Sequence, residues 1–152
     1  MYICRKLLIM SNIFELNEPS ITYGTLENKD AYSLISAIKE GIKYTFFEKL
    51  VKLSPFSISD WAAFLNISNR SIQRYKKEGG RFNAVSSEKI VEITMLYKYG
   101  VEVFEDKEKF NTWLSIKNVA LGGIVPKELL DTSFGIGLLK DELASIEHGI
   151  LS

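Results

Sequence analysis

Residues 57–80 read SISDWAAFLNISNRSIQRYKKEGG, and the pattern within them decides the class of the fold. Ser57-x-x-Asp60 is a capping-box-like helix start: the serine hydroxyl can accept from a free amide of the first turn, while the acid reaches back to the amide of the capping residue. Ile58, Trp61, Ala62 and Leu65 then recur at i, i+3, i+4 and i+7, the spacing of one helical face. Asn66 follows, where a sharp turn between helices needs a residue that tolerates the left-handed region, and asparagine is the best choice after glycine. Ile67 would plug the angle between the two helices, and Ser68 would cap the second. That second helix, about 69–78, carries Ile72 and Tyr75 on one face and Arg70, Gln73, Arg74 and Lys77 on the other, and Gly79-Gly80 stop it. The stretch reads as a helix-turn-helix.

Working outward, the chain stays helical on both sides. Upstream, Asp30 is expected to cap a helix over 31–40 with Leu34, Ile35 and Ile38 on one face, ended by Gly41. A helix over 43–53 repeats the pattern with Phe46, Phe47, Leu50 and Leu53 before Pro55 breaks the chain. Downstream, a longer helix over 87–104 is expected to bury Ile90, Ile93, Thr94, Tyr97, Val101 and Phe104 as a stripe interrupted by Gly100. A helix over 106–116 capped by Asp106, a short one opened by Pro126 at its first position, and a final one over 134–148 complete the chain. Strand-period runs, internal repeats and low-complexity tracts are missing from the sequence. The expectation is an all-α fold of seven or eight helices. It divides into an irregular segment 1–28, a helix-turn-helix domain 29–105 and a small C-terminal helical domain 106–152.

A length of 152 residues suits one compact domain, or a domain with a short appendage, and is long enough to bury a real core. Formal net charge is zero, so no whole-molecule argument for nucleic-acid binding exists. The charge is nevertheless uneven: residues 55–104 carry seven Lys/Arg against five Asp/Glu, and residues 105–152 carry five against eight. A mildly basic reading surface and an acidic tail follow from that split. Cys4 is the only cysteine and His148 the only histidine, which leaves no internal disulfide and no structural zinc site of the usual kind, and fits a reducing, cytoplasmic setting. Met1–Met10 is apolar but too short to span a bilayer and holds Arg5-Lys6; it reads as a disordered or edge segment, with Met10 an alternative start. No phosphate-binding glycine loop and no nucleophile placed beside a base occur, so the expectation is a binding protein without cofactor or metal, not an enzyme.

The second helix of a helix-turn-helix lies in the major groove. Arginine pairs bidentately with guanine, and glutamine or asparagine with adenine, so Asn69, Arg70, Gln73 and Arg74 are the expected base readers. Ser71, Lys76, Lys77 and Arg81 are better placed for phosphates, and Ser68 at the helix start belongs to the same DNA-facing set. The competing reading is a merely solvated polar face. Four basic residues against one acidic in 70–78, directly after the Asn66 turn, weigh for DNA. A single helix-turn-helix makes few base contacts, so a homodimer on two half-sites is expected.

In the C-terminal segment, Gly122-Gly123 is expected to turn the backbone where a Cβ would clash, and Pro126 presets the next helical start. Ile136, Leu139, Leu143 and Ile146 line one side of the last helix at helical spacing, and Gly135 and Gly137 would permit close approach of another helix. Gly149 fits a left-handed cap with Ile150 packing back on the final turn. Taken residue by residue, this is a closing helical hairpin whose stripe is core and whose Glu147 and His148 face solvent. The order Trp113-Leu114, Leu121-Gly122-Gly123, Pro126, Leu129-Leu130-Asp131-Thr132, Gly135, Ile146-Glu147-His148-Gly149, however, resembles the toxin-binding end of the Xre/MbcA/ParS family of antitoxins. Leu65-Asn66-Ile67-Ser68-x-x-Ser71-Ile72-Gln73-Arg74 is similar to the helix-turn-helix of that family, with Asn66 in place of a glycine and Tyr75 in place of a second arginine. The resemblance covers about residues 45–152.

It implies an antitoxin of a type II toxin–antitoxin pair whose partner is a RES-domain toxin that attacks NAD, by degrading it or by ADP-ribosylating a target. The antitoxin's C-terminal end would occupy the toxin's cleft while its N-terminal part binds operator DNA and represses the shared operon. The toxin-binding residues so implied are Trp113, Leu114, Leu121, Gly122, Gly123, Pro126, Leu130, Gly135, Leu139, Leu143, Ile146, Glu147 and Gly149, with Glu147 as a carboxylate able to engage an arginine. The alternative is a stand-alone helix-turn-helix regulator whose C-terminal helices only dimerise.

Overall fold

A computed structural model of the chain describes residues 28–149. The expectations for Met1–Met10, for the irregular lead-in and for Ile150 lie outside the described residues. Within them the chain forms α1 (Asn28–Glu40), α2 (Tyr44–Leu53), α3 (Ile58–Leu65), α4 (Asn69–Glu78), α5 (Ala84–Phe104) and α6 (Lys107–Ser115). Two 3₁₀ segments, Val119–Leu121 and Pro126–Asp131, lead to the last helix, α7 (Ser133–Glu147). Among the described residues there is no strand; the only bridges are the isolated pairs Lys43 with Arg81 and Asn118 with Ile124. The chain is all-α, as expected.

The starts of α3 to α7 follow side-chain caps that satisfy otherwise orphaned amides, whereas α2 begins after Lys43 without one. Ser57 and Asp60 form the reciprocal box: Asp60 N donates to Ser57 Oγ at 3.1 Å and Ser57 N donates to Asp60 Oδ2 at 2.8 Å. Asn66 ends α3 in the left-handed region (φ 55°, ψ 42°), and Ser68 accepts from Ser71 N at 3.1 Å to open α4. Asp106 Oδ1 accepts from Glu108 N at 2.8 Å and Lys109 N at 3.1 Å. Two caps change the expected boundaries. Asn83 Oδ1 accepts from Ser86 N at 2.8 Å, so α5 begins at Ala84 and not at 87. Thr132 Oγ1 accepts from Gly135 N at 3.0 Å and opens α7 one residue early. Asp30 lies within α1, which is described from Asn28, and not before its first residue. Pro126 does stand at the first position of its segment, which is 3₁₀ and not α.

The long α5 is the axis of the molecule, packed against α1, α3, α6 and α7. One stripe cannot serve neighbours on several sides, and the expected one is accordingly too narrow: Val91, Met95 and Leu96 are buried beside Ile90 and Ile93, whereas Thr94, Tyr97, Val101 and Phe104 are only half-buried. Three expected core residues, Ile35, Leu53 and Ile146, are exposed at the ends or edges of their faces. Beneath the helix-turn-helix lies an aromatic cluster. Phe47 meets Trp61 edge-on at 5.3 Å, Phe56 meets Phe64 edge-on at 5.1 Å, and Tyr75 lies 4.5 Å from Phe82. These are the arrangements that ring quadrupoles favour.

Three glycines are sites of close approach, and at Gly41 a Cβ would overlap the Phe82 carbonyl oxygen. A Cβ on Gly100 would overlap the Phe110 ring of α6, and one on Gly135 would overlap the Leu129 carbonyl oxygen. Gly122 and Gly123 are needed for a different reason from the expected one: nothing lies within 4 Å of a Cβ at either, but their φ angles are 70° and 79°. Gly137 likewise has nothing within 4 Å, so no described helix packs there.

Candidate DNA-reading and partner-binding surfaces

Ile72, fully buried, and Tyr75, packed against the core, fix the roll of α4 and turn its other side outward. Ser68, Asn69, Arg70, Gln73, Arg74, Lys76, Lys77 and Arg81 are all exposed, and Ser71 is half-buried. Arg70, Gln73, Arg74 and Lys77 thus share the side of α4 opposite Ile72 and Tyr75, while Ser71 and Lys76 lie on its flanks and Arg81 lies beyond its end. Some of these residues also have local work. Asn69 Nδ2 donates to Ser59 Oγ of α3 at 3.3 Å, leaving its amide oxygen and a second N–H for a base. Arg81 Nη1 donates to the Gly41 carbonyl at 2.8 Å, so part of its fork braces the loop before α2. The Arg74 guanidinium carbon lies 5.8 Å from the Tyr75 ring, within cation–π range. The hydroxyls of Ser68 and Ser71 are 3.0 Å apart.

The C-terminal candidates divide by burial. Leu114, Pro126, Leu130, Gly135, Leu139 and Leu143 are core; Trp113 and Leu121 are half-buried; Gly122, Gly123, Ile146, Glu147 and Gly149 are exposed. Trp113 stacks on Phe110 with ring centroids 5.8 Å apart and an interplanar angle of 20°. Glu147 is exposed as expected but has an intramolecular partner: Tyr99 Oη donates to its Oε2 at 2.6 Å. Burial, then the Glu147 carboxylate as acceptor and charge, push the Tyr99 hydroxyl up to about 12. Glu102 nearby is raised by burial and by Glu147, against the Lys98 ammonium.

Sequence reasoning passed over the exposed apolar residues of this segment. Phe134 is 81% exposed, Val119 93% and Leu138 41%, and Ile116 and Ile124 are exposed as well. A signal existed: Phe134 and Leu138 stand at i, i+4 on α7, off the stripe of Ile136, Leu139 and Leu143. A stripe that is already full leaves residues beside it no core to enter.

The two halves are joined without a linker. Buried apolar residues from α2 through α7 form one continuous core. Lys127 Nζ lies 2.8 Å from Asp60 Oδ1, tying the Pro126–Asp131 segment to the start of α3, beside a cleft of about 490 Å³ lined by Phe64, Ser115, Val125 and Glu128 among others. Burial raises the Asp60 carboxyl, but hydrogen bonds from Lys127 and Ser57 and the Lys127 charge outweigh it and hold the group below its ordinary value. Ser133 Oγ donates to Glu92 Oε2 at 3.0 Å and accepts from Lys89 Nζ at 3.3 Å, a second tie between α7 and α5. No described helix is long and apolar enough to cross a membrane, and no group of acids, histidine or cysteine among the described residues is placed to hold a metal.

Two family models match the chain: an antitoxin Xre-like helix-turn-helix domain over residues 33–94, and the antitoxin Xre/MbcA/ParS C-terminal toxin-binding domain over residues 100–149. The interval between them falls within α5. The chain is similar to "Antitoxin Xre" of Photorhabdus laumondii subsp. laumondii, 30% identical over 120 residues that cover 78% of this chain and 81% of that protein. It is also similar to "Antitoxin Xre" of Yersinia enterocolitica serotype O:8 / biotype 1B, 28% identical over the same shares of both chains.

Proposed function

Because this chain belongs to the Xre family of antitoxins, we propose that it neutralises a toxin encoded beside it through α6, the 3₁₀ segments and α7, and represses the shared operon through α4. The toxin in this reading is a RES-domain protein that consumes NAD or transfers its ADP-ribose, and the antitoxin itself carries no catalytic step. One observation carries the proposal: a helix-turn-helix with its arginines, lysines and Gln73 outward is built on the same core as a segment matching a toxin-binding domain. The operator is read by a homodimer on two half-sites about one helical turn, ~34 Å, apart.

Co-expression tests it. The neighbouring gene should arrest growth and lower cellular NAD when induced alone, and should do neither when this chain is present. A neighbour that is harmless alone would leave the chain as a stand-alone regulator. Arrest with unchanged NAD would retain the antitoxin and reject the RES chemistry.

A further inference from the structure

We propose that the toxin docks on the outer face of α7 through Phe134 and Leu138, and not through the leucine stripe that the sequence singles out; this rests on the antitoxin reading above. The stripe has little surface to offer, since Leu139 and Leu143 are fully buried and Ile136 nearly so, and only Ile146 near the end of the helix is exposed. Phe134 and Leu138 are exposed one turn apart, and Gly137 between them has nothing within 4 Å of a Cβ, so the backbone there is open to a close neighbour. A large exposed aromatic beside an aliphatic residue is the composition of an interface anchor, where a few residues carry most of the binding energy.

What covers this face is indicated by its place and its charge. It lies inside the segment that matches a toxin-binding domain. The exposed Asp141 stands at i+7 from Phe134 on the same face, and residues 105–152 carry eight acids against five basic residues. The complementary partner surface is an apolar pocket with a basic rim, which is how a protein that holds an anionic nucleotide would present itself. A second copy of this chain is the rival occupant, and its acidic C-terminal segment makes it the poorer electrostatic match.

The test titrates Phe134→Asp and Leu138→Asp against the purified product of the adjacent gene by calorimetry, with Tyr32→Asp, an exposed aromatic of α1, as control. Circular dichroism should show all three folded, and Phe134→Ala serves if an aspartate variant is not. Each α7 aspartate should weaken toxin binding at least about thirtyfold and Phe134→Ala about tenfold, with Tyr32→Asp unchanged. Sedimentation velocity should show the same oligomeric state for every variant. Wild-type affinity in both α7 variants would overturn the surface while leaving the antitoxin reading intact, as would a dimer lost in Phe134→Asp with toxin binding retained. Failure of the wild type to bind at all would instead remove the reading on which the surface rests.

Discussion

Gly100 shows what a single residue controls here. On helix propensity alone, Gly100→Ala in the second-last turn of α5 should stabilise by up to about 1 kcal/mol. The Phe110 ring occupies the place a methyl would take, and Phe110 is fully buried, so the ring has nowhere to retreat. Overpacking of this kind costs roughly 1–3 kcal/mol, which outweighs the gain in propensity and makes the change unfavourable. Urea denaturation should therefore show Gly100→Ala less stable than wild type by about 1–2 kcal/mol; an increase in stability would mean that α6 shifts freely. Trp61 presents a different tension, since its Nε1 is buried with no hydrogen-bond partner among the described residues while its rings pack edge-on against Phe47 and Phe56.

Among the elements, α4 is the proposed reading helix and α3 carries the tie to the C-terminal segment. If Arg70 and Arg74 are bidentate to guanines, Arg70→Ala and Arg74→Ala should each cost roughly 1–3 kcal/mol on the operator and relax sequence preference, while Lys77→Ala weakens all sequences evenly. Fluorescence anisotropy at fixed salt distinguishes the two patterns, and wild-type binding by both arginine variants would move the reading surface off α4. The start of α3 is sensitive to acid. Asp60 is held below its ordinary value of 3.8 in the folded chain, so the unfolded chain takes up the proton first and acid favours unfolding. Its contribution is present in full above that value and is lost as the pH falls through the folded one. Asp60→Ala should cost about 1 kcal/mol at neutral pH, from the cap and a part-exposed ion pair, and the gap to wild type should shrink at pH values below 3.8. A gap independent of pH would show that the carboxylate charge is not involved.

For the molecule as a whole, the continuous core means that the two activities share their stability. α7 contributes Ile136, Leu139 and Leu143 to that core and packs along α5, the same helix against which α1 and α3 rest. Losing buried leucines costs about 2–5 kcal/mol each, against a total stability of roughly 5–15 kcal/mol for a domain of ordinary size. A chain ending at residue 133 should consequently lose its cooperative urea transition and its operator binding along with toxin binding. Retention of a sharp transition and of operator affinity would show two independent modules. Point changes on the exposed face of α7 are therefore the sharper tool for separating neutralisation from DNA reading.

Local chemistry was legible in the sequence wherever a side chain acts on its own backbone or its own helix. The Ser57–Asp60 box, the left-handed Asn66, the caps at Ser68 and Asp106, Pro126 at its first position and the outward face of α4 all follow from nearest-neighbour rules, because both partners lie within one turn. The order of residues from Trp113 to Gly149 also carried the family, which is a property of sequence as such. What lay beyond the sequence depends on which elements meet. α5 is buried on more sides than one amphipathic stripe allows, because four helices close around it; Gly100 is a socket only because Phe110 arrives from another helix; and Glu147 accepts from Tyr99 across 48 residues. The same distinction governs the partner surface. Helical spacing marks a stripe of leucines without saying whether core or partner covers it, and only the packed chain, by burying Leu139 and Leu143 and leaving Phe134 in solvent, separates the core face of α7 from the exposed one.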